Sequence, residues 1–144
     1  MDTTQSPKIT IFKNIRETAT PFHRPMKVVL DRIINGSSKT LVKKIRQEKD
    51  KSSRNELKKE LPAICFSGKF VKRADNSLQE HSGFICLDFD GYTKHKDLVS
   101  DKEKLSKDRY VYSVFISPSG AGLKALVKIP KDPSNHVNYF NSLE

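Results

Sequence analysis

The sequence predicts an α+β fold: a basic, helical N-terminal portion, then a mostly antiparallel sheet with helices on one side. Three observations predict it. Met26, Val29, Leu30, Ile33 and Ile34 recur at helical spacing. From residue 63 onward the texture changes to short apolar runs punctuated by turn residues. Finally, Ser117-Pro118-Ser119-Gly120-Ala121-Gly122 joins two strand-like segments over a distance that suits a hairpin, whereas parallel strands need a crossover of a dozen or more residues.

Taken in order, Lys8-Ile9-Thr10-Ile11-Phe12 alternates polar and apolar and reads as a strand. Pro21 and Pro25 mark an irregular connection. The helix over 26–34 is stopped by Asn35-Gly36, and Ser37 or Ser38 then caps a second helix that buries Leu41, Val42 and Ile45. Lys51-Ser52-Ser53 reads as a polar break, followed by a short helix through Leu57 that ends at Leu61-Pro62. Ala63-Ile64-Cys65-Phe66 and Phe70-Val71 are extended, and Ala74-Asp75-Asn76-Ser77 is a turn cluster. Residues 83–90 are apolar on both faces until their end, the pattern of a buried central strand. A polar helix over 97–107, a strand over 110–116 rich in aromatic and β-branched residues, and a strand over 123–129 follow. Tyr112 and Phe115 are expected in the core of a central strand. Asp132-Pro133 reads as the cap and first turn of a last helix containing Val137, Phe140 and Leu143. Two portions are expected, 1–61 and 62–144, the second cut short before its domain is complete.

The chain has 144 residues and a net charge of +10. Residues 1–60 carry 15 Lys and Arg against 7 Asp and Glu, while residues 61–144 carry 12 against 10. The charge is therefore concentrated toward the N-terminus, most densely over 39–59. Lys39, Lys43, Lys44 and Arg46 are expected to hold a nucleic-acid backbone by counterion release, a solvated helix face being the alternative. The longest aliphatic run is Val28-Val29-Leu30, far short of the ~20 residues that span a bilayer, so no membrane partner is expected. The N-terminus lacks an apolar signal segment. Cys65 and Cys86 sit in apolar segments without metal-ligand spacing, and a reduced, cytoplasmic setting is expected. The four histidines are scattered; His81, just before the strand that carries the aspartates, is expected as a surface or capping residue, an approach to the cleft being the alternative.

Two motifs carry chemistry. Asp88 and Asp90 are two apart at a strand end, so period two puts both on one face while Ile85, Leu87 and Phe89 point toward the helices. Carboxylates this close repel unless a cation or proton lies between them, and Mg²⁺ is commonly held by one or two carboxylates plus phosphates. A plain Asp-Gly turn is the alternative. In the second motif, the small residues of 117–122 let amides approach phosphate, and Lys124 adds a point charge. An ordinary glycine hairpin is the alternative. In the strand after it, Lys124, Leu126 and Lys128 share one face, opposite Leu123, Ala125, Val127 and Ile129.

Together, His81-Ser82-Gly83-Phe84-Ile85-Cys86-Leu87-Asp88-Phe89-Asp90 and Phe115-Ile116-Ser117-Pro118-Ser119-Gly120-Ala121-Gly122-Leu123-Lys124 resemble the archaeo-eukaryotic primase (primase-polymerase) superfamily. The resemblance is closest to the VirE-type or BT4734-like N-terminal domains of mobile-element replication proteins and covers roughly residues 60–130. It implies an RRM-like sheet in which Asp88 and Asp90 ligate Mg²⁺ or Mn²⁺ as catalytic residues. It also implies that Ser117, Ser119, Gly120, Gly122 and Lys124 hold the phosphates of a nucleoside triphosphate. The implied reaction is two-metal nucleotidyl transfer in DNA replication of a mobile element or phage, with a DNA template or primer, and a helicase or other replication domain in a longer chain, as partners. Many superfamily members carry histidine where this chain has Lys124, which pairs with phosphate but cannot act as a neutral imidazole. Asp132, beside Pro133, is a poor match to the third motif, so the third carboxylate is expected beyond Glu144, and the chain alone is expected to show little or no polymerase activity.

Two other readings compete. Leu87-Asp88-Phe89-Asp90-Gly91 also resembles the first motif of haloacid-dehalogenase-like phosphatases, with Asp88 as nucleophile and Asp90 as general acid/base. That family has Thr where this chain has Tyr92, and it needs a parallel sheet. The third reading is a non-catalytic nucleic-acid-binding module with a degenerate site.

Overall fold

A computed structural model describes residues 6–130 of the chain, which divide into two compact units at Ser82/Gly83. The architecture is α+β, with every described strand pair antiparallel. The texture change at residue 63 falls within the first unit. The strand after it pairs back with the first strand of the chain, so the first unit extends to Ser82.

In the first unit, β1 (Lys8–Phe12) is the middle strand of three, flanked by β2 (Phe22–Pro25) and β3 (Ala63–Cys65). Helices α1 (Met26–Ile34), α2 (Lys39–Gln47) and α3 (Lys51–Lys58) lie between β2 and β3 in the chain. A hairpin of β4 (Gly68–Phe70) and β5 (Leu78–His81) follows. Met26, Val29 and Leu30 are buried, as the helical pattern requires, while Ile34 at the end of that helix is exposed. Ile45 of α2 is buried, and on β1 Ile9, Thr10 and Phe12 are all buried, so this middle strand is covered on both faces rather than alternating.

Several local expectations are corrected. The segment between Pro21 and Pro25 is not irregular: Phe22–Pro25 pairs with β1 in register, and Pro25 sits at the strand's end, where its missing N–H interrupts no ladder. Lys51-Ser52-Ser53 is not a break but the first turn of α3. Asp50 caps that turn, its carboxylate accepting from the Ser53 amide at 2.9 Å and from the Ser53 hydroxyl at 2.8 Å. Ser38 occupies the N-cap position of α2 without a side-chain capping bond. His81 is not a surface residue: it lies on β5 opposite Gly68 and is 5% exposed.

Thr10, fully buried on β1, ties the sheet to the hairpin. Its hydroxyl donates to the Gly68 carbonyl at 3.1 Å, accepts from the Phe70 amide at 2.9 Å, and lies 3.1 Å from His23 Nδ1. Burial, then the nearby Lys69, Lys8 and Arg24 charges, hold the His23 imidazole below its ordinary 6.5. As pH falls, the unfolded chain takes up this proton before the folded one does. The stability that His23 contributes is therefore present above about pH 6.5 and is lost as pH drops through 6.5 toward the lower folded-state value. Urea midpoints measured between pH 7.5 and 5 are expected to fall, and His23→Gln is expected to flatten that fall. An equal slope in the variant would refute the assignment.

In the second unit, β6 (Phe84–Phe89) leads through α4 (His95–Ser106) to β7 (Val111–Ile116), and β8 (Leu123–Lys128) returns between them. The order β6-β8-β7 is the way a split β-α-β unit lays its strands, with the crossover helix on one face. Ile85, Leu87 and Val127 form a buried cluster joined by Phe89, Val111 and Ile129, and Leu98 of α4 is buried. Among the described residues the central strand is β8, not β6 or β7. Lys124 and Lys128 make β8 look one-sided in sequence, yet Leu126 between them is fully buried. The last helix expected after Asp132 lies outside the described residues.

Candidate nucleotide-binding site

The antiparallel register of β6 on β8 brings the two chemical motifs together. Asp88 stands directly opposite Lys124, and Phe89 opposite Leu123. Lys124 Nζ donates to Asp88 Oδ1 at 2.8 Å. Both side chains reach solvent, Lys124 32% and Asp88 54% exposed, so the pair contributes only a fraction of a kcal/mol to folding. One step further along the same face, Asp90 overlies Gly122. A Cβ added to Gly122 would stand 2.6 Å from Asp90 Oδ1, 3.0 Å from the Phe89 carbonyl and 3.1 Å from Ser117 Oγ. Asp90 itself is exposed and has no hydrogen-bond or ion-pair partner among the described residues.

The hairpin between β7 and β8 closes with the Ser117 amide donating to Gly122 O and the Gly120 amide to Ser117 O, both at 2.9 Å. Ser117 Oγ and Ser119 Oγ are 3.2 Å apart, and the Ala121 amide donates to Ser119 Oγ at 3.4 Å. The structure thus gathers Asp88, Asp90, Ser117, Ser119, Gly120, Gly122 and Lys124 at one end of one sheet. The amides of Ser117, Gly120 and Ala121 are engaged within the hairpin.

A second device went unread in the sequence. Past Asp90, the Tyr92 amide donates to Ala121 O at 3.0 Å and the Tyr92 hydroxyl to Asp101 Oδ2 at 2.7 Å. This residue therefore straps the end of β6 both to the hairpin and to α4. Its only sequence signal is an aromatic directly after Asp90-Gly91. The bond to Asp101, more than burial, raises the Tyr92 pKa.

Cys86 lies two residues before Asp88. Burial, reinforced by the Asp88 charge and opposed by Lys124, pushes its thiol up to about 11, so it is not a thiolate at neutral pH. Phe115 stands opposite Lys124 on β7, and the Tyr112 ring meets Phe84 edge-on at 5.1 Å with Lys128 Nζ 5.9 Å from it.

No group of three or more His, Cys, Asp or Glu among the described residues is placed to hold a metal. Asp88 and Asp90 alone suit a hard cation whose remaining ligands are phosphate oxygens and water. Among the described residues no strands pair in parallel, as a haloacid-dehalogenase-like site requires: β6 and β7 are both antiparallel to β8.

Lys39, Lys43, Lys44 and Arg46 belong to α2 in the other unit and are exposed. The spacing of Lys39, Lys43 and Arg46 sets them on one helix face. Lys39, Lys43 and Lys44 have no ion-pair partner among the described residues, and α2 contains no acidic residue.

A family model described as BT4734-like, N-terminal domain, matches residues 56–143. No curated protein and no solved structure matches the chain.

Proposed function

Because the chain belongs to the BT4734-like N-terminal domain family, we propose that its second unit is a primase-polymerase-like site. It binds a nucleoside triphosphate with Mg²⁺ or Mn²⁺ and serves nucleotidyl transfer in replication of a mobile element or phage. One observation carries this reading: the Asp88–Lys124 pair and the Asp90–Gly122 contact are successive steps on one face, at the mouth of the Ser117–Gly122 turn. Two carboxylates for the metal and an ammonium for phosphate are thereby within reach of one ligand. With the Ser117, Gly120 and Ala121 amides engaged, phosphate recognition draws on the Ser119 and Ser117 hydroxyls and Lys124. When bound, the metal neutralises the developing charge on the phosphates.

Titration of the full chain with Mn²⁺ and a labelled nucleoside triphosphate tests the reading. Binding is expected in the parent and at least tenfold weaker in Asp88→Ala and in Asp90→Ala.

The exposed cations of α2 favour one second reading, a non-catalytic nucleic-acid-binding module. DNA binding that survives both aspartate substitutions, in a protein that binds no nucleotide, would establish it. Under either reading Lys39→Ala and Lys43→Ala should each reduce the slope of log affinity against log salt by about 1.

A further inference from the structure

The Asp88–Lys124 ion pair lies on the face that the proposed ligand would use. Lys124 bonds Asp88 across the β6–β8 register. Its register partner on the other side is Phe115, and its neighbours on the same face of β8 are Gly122 and Leu126; none offers a side-chain acceptor. Asp90, one step away, carries no cation. A bare divalent ion entering between the two carboxylates therefore meets a resident ammonium bonded to one of them at 2.8 Å. It must either displace that ammonium into solvent, giving up the ion pair, or share Asp88 with a like charge. A phosphate removes the conflict: its oxygens accept from Lys124, release Asp88 Oδ1, and supply the ligands that two carboxylates leave unfilled.

We infer that Lys124 is an internal counter-cation that makes the site selective for a metal–polyphosphate chelate over the bare ion, coupling phosphate and metal binding through Asp88. This rests on the reading of Asp88 and Asp90 as the metal-holding pair. By linkage the coupling is reciprocal: metal strengthens polyphosphate binding as much as polyphosphate strengthens metal binding.

The test measures free Mn²⁺ by electron paramagnetic resonance over the full chain, and separately the binding of inorganic tripolyphosphate in the presence of a chelator. Lys124→Met is expected to bind bare Mn²⁺ about fivefold more tightly than the parent, and metal-free tripolyphosphate about fivefold more weakly. Lys124→Arg, which keeps the charge, should follow the parent in both. If Lys124→Met leaves bare Mn²⁺ affinity unchanged or weaker, while Asp88→Asn still abolishes Mn²⁺ binding, the counter-cation role is refuted and the metal-holding pair stands. If neither the parent nor Lys124→Met binds Mn²⁺ with or without tripolyphosphate, the metal reading itself falls and the inference falls with it.

Discussion

Gly68→Ala is expected to cost about 4 kcal/mol of stability and to separate the β4–β5 hairpin from β1. A Cβ at this position would stand 1.9 Å from the Glu80 carbonyl oxygen, 2.9 Å from the Glu80 carbonyl carbon and 3.0 Å from Leu78 Cδ1. The first two are backbone atoms of the paired strand and cannot turn aside as a side chain can, so relief requires the strands to part. That movement also breaks the bonds by which the Thr10 hydroxyl holds Gly68 O and the Phe70 amide, leaving buried polar groups unpaired. Gly91→Ala is the matched control. Its φ of 85° strains any L residue, but nothing lies within 4 Å of the added methyl, so only about 1 kcal/mol is expected there. Urea unfolding of the two variants beside the parent separates clash from strain. A Gly68→Ala midpoint equal to that of Gly91→Ala would rule out the clash.

The same hairpin shows where sequence reading stops. Ser67-Gly68 looks like any small polar break, and Leu78-Gln79-Glu80-His81 has no apolar run to announce a strand. Both segments are extended because each supplies the other's ladder, a condition set by pairing rather than by local pattern. β2 is hidden likewise: Phe22-His23-Arg24-Pro25 is strand only through its register with β1. By contrast α1 was legible because burial of one face writes a period into the sequence itself, and β6 because a short apolar run bounded by turn residues marks a buried strand. The position of β6 in the sheet was not legible. An apolar run signals burial on both faces but does not say whether neighbouring strands or packed side chains provide it.

The candidate site divides along the same line. Asp88 with Asp90, and the small residues of 117–122, were readable from spacing within each motif. The ion pair joining them was not, because Asp88 and Lys124 are 36 residues apart and meet only through the register of β6 on β8. Tyr92 was missed for a related reason. Its partners are a carbonyl in the hairpin and a carboxylate on α4, and no short window of sequence contains them all.

Gly122→Ala is expected to weaken Mn²⁺-dependent nucleotide binding about as much as Asp90→Ala does, while the protein stays folded. The closest atom to the added methyl would be Asp90 Oδ1 at 2.6 Å, the end of an exposed side chain that can rotate away. The Phe89 carbonyl at 3.0 Å and Ser117 Oγ at 3.1 Å need to give by only a few tenths of an ångström. The methyl therefore takes the room that Asp90 uses, driving its carboxylate from the face it shares with Asp88 and pressing the Ser117 hydroxyl away from Ser119. Stability should fall by only about 1 kcal/mol, since a mobile side chain and a slight strand adjustment absorb the contact. The contrast with Gly68 lies in what the methyl meets: paired backbone there, a displaceable carboxylate here. Calorimetric titration with Mn²⁺ and nucleoside triphosphate, run beside urea unfolding, reads both quantities on one preparation. Undiminished binding in Gly122→Ala would mean that the placement of Asp90 over this glycine is not what the ligand uses. A loss of binding accompanied by collapse of the unfolding midpoint would show that the close approach serves the fold of the sheet rather than the site.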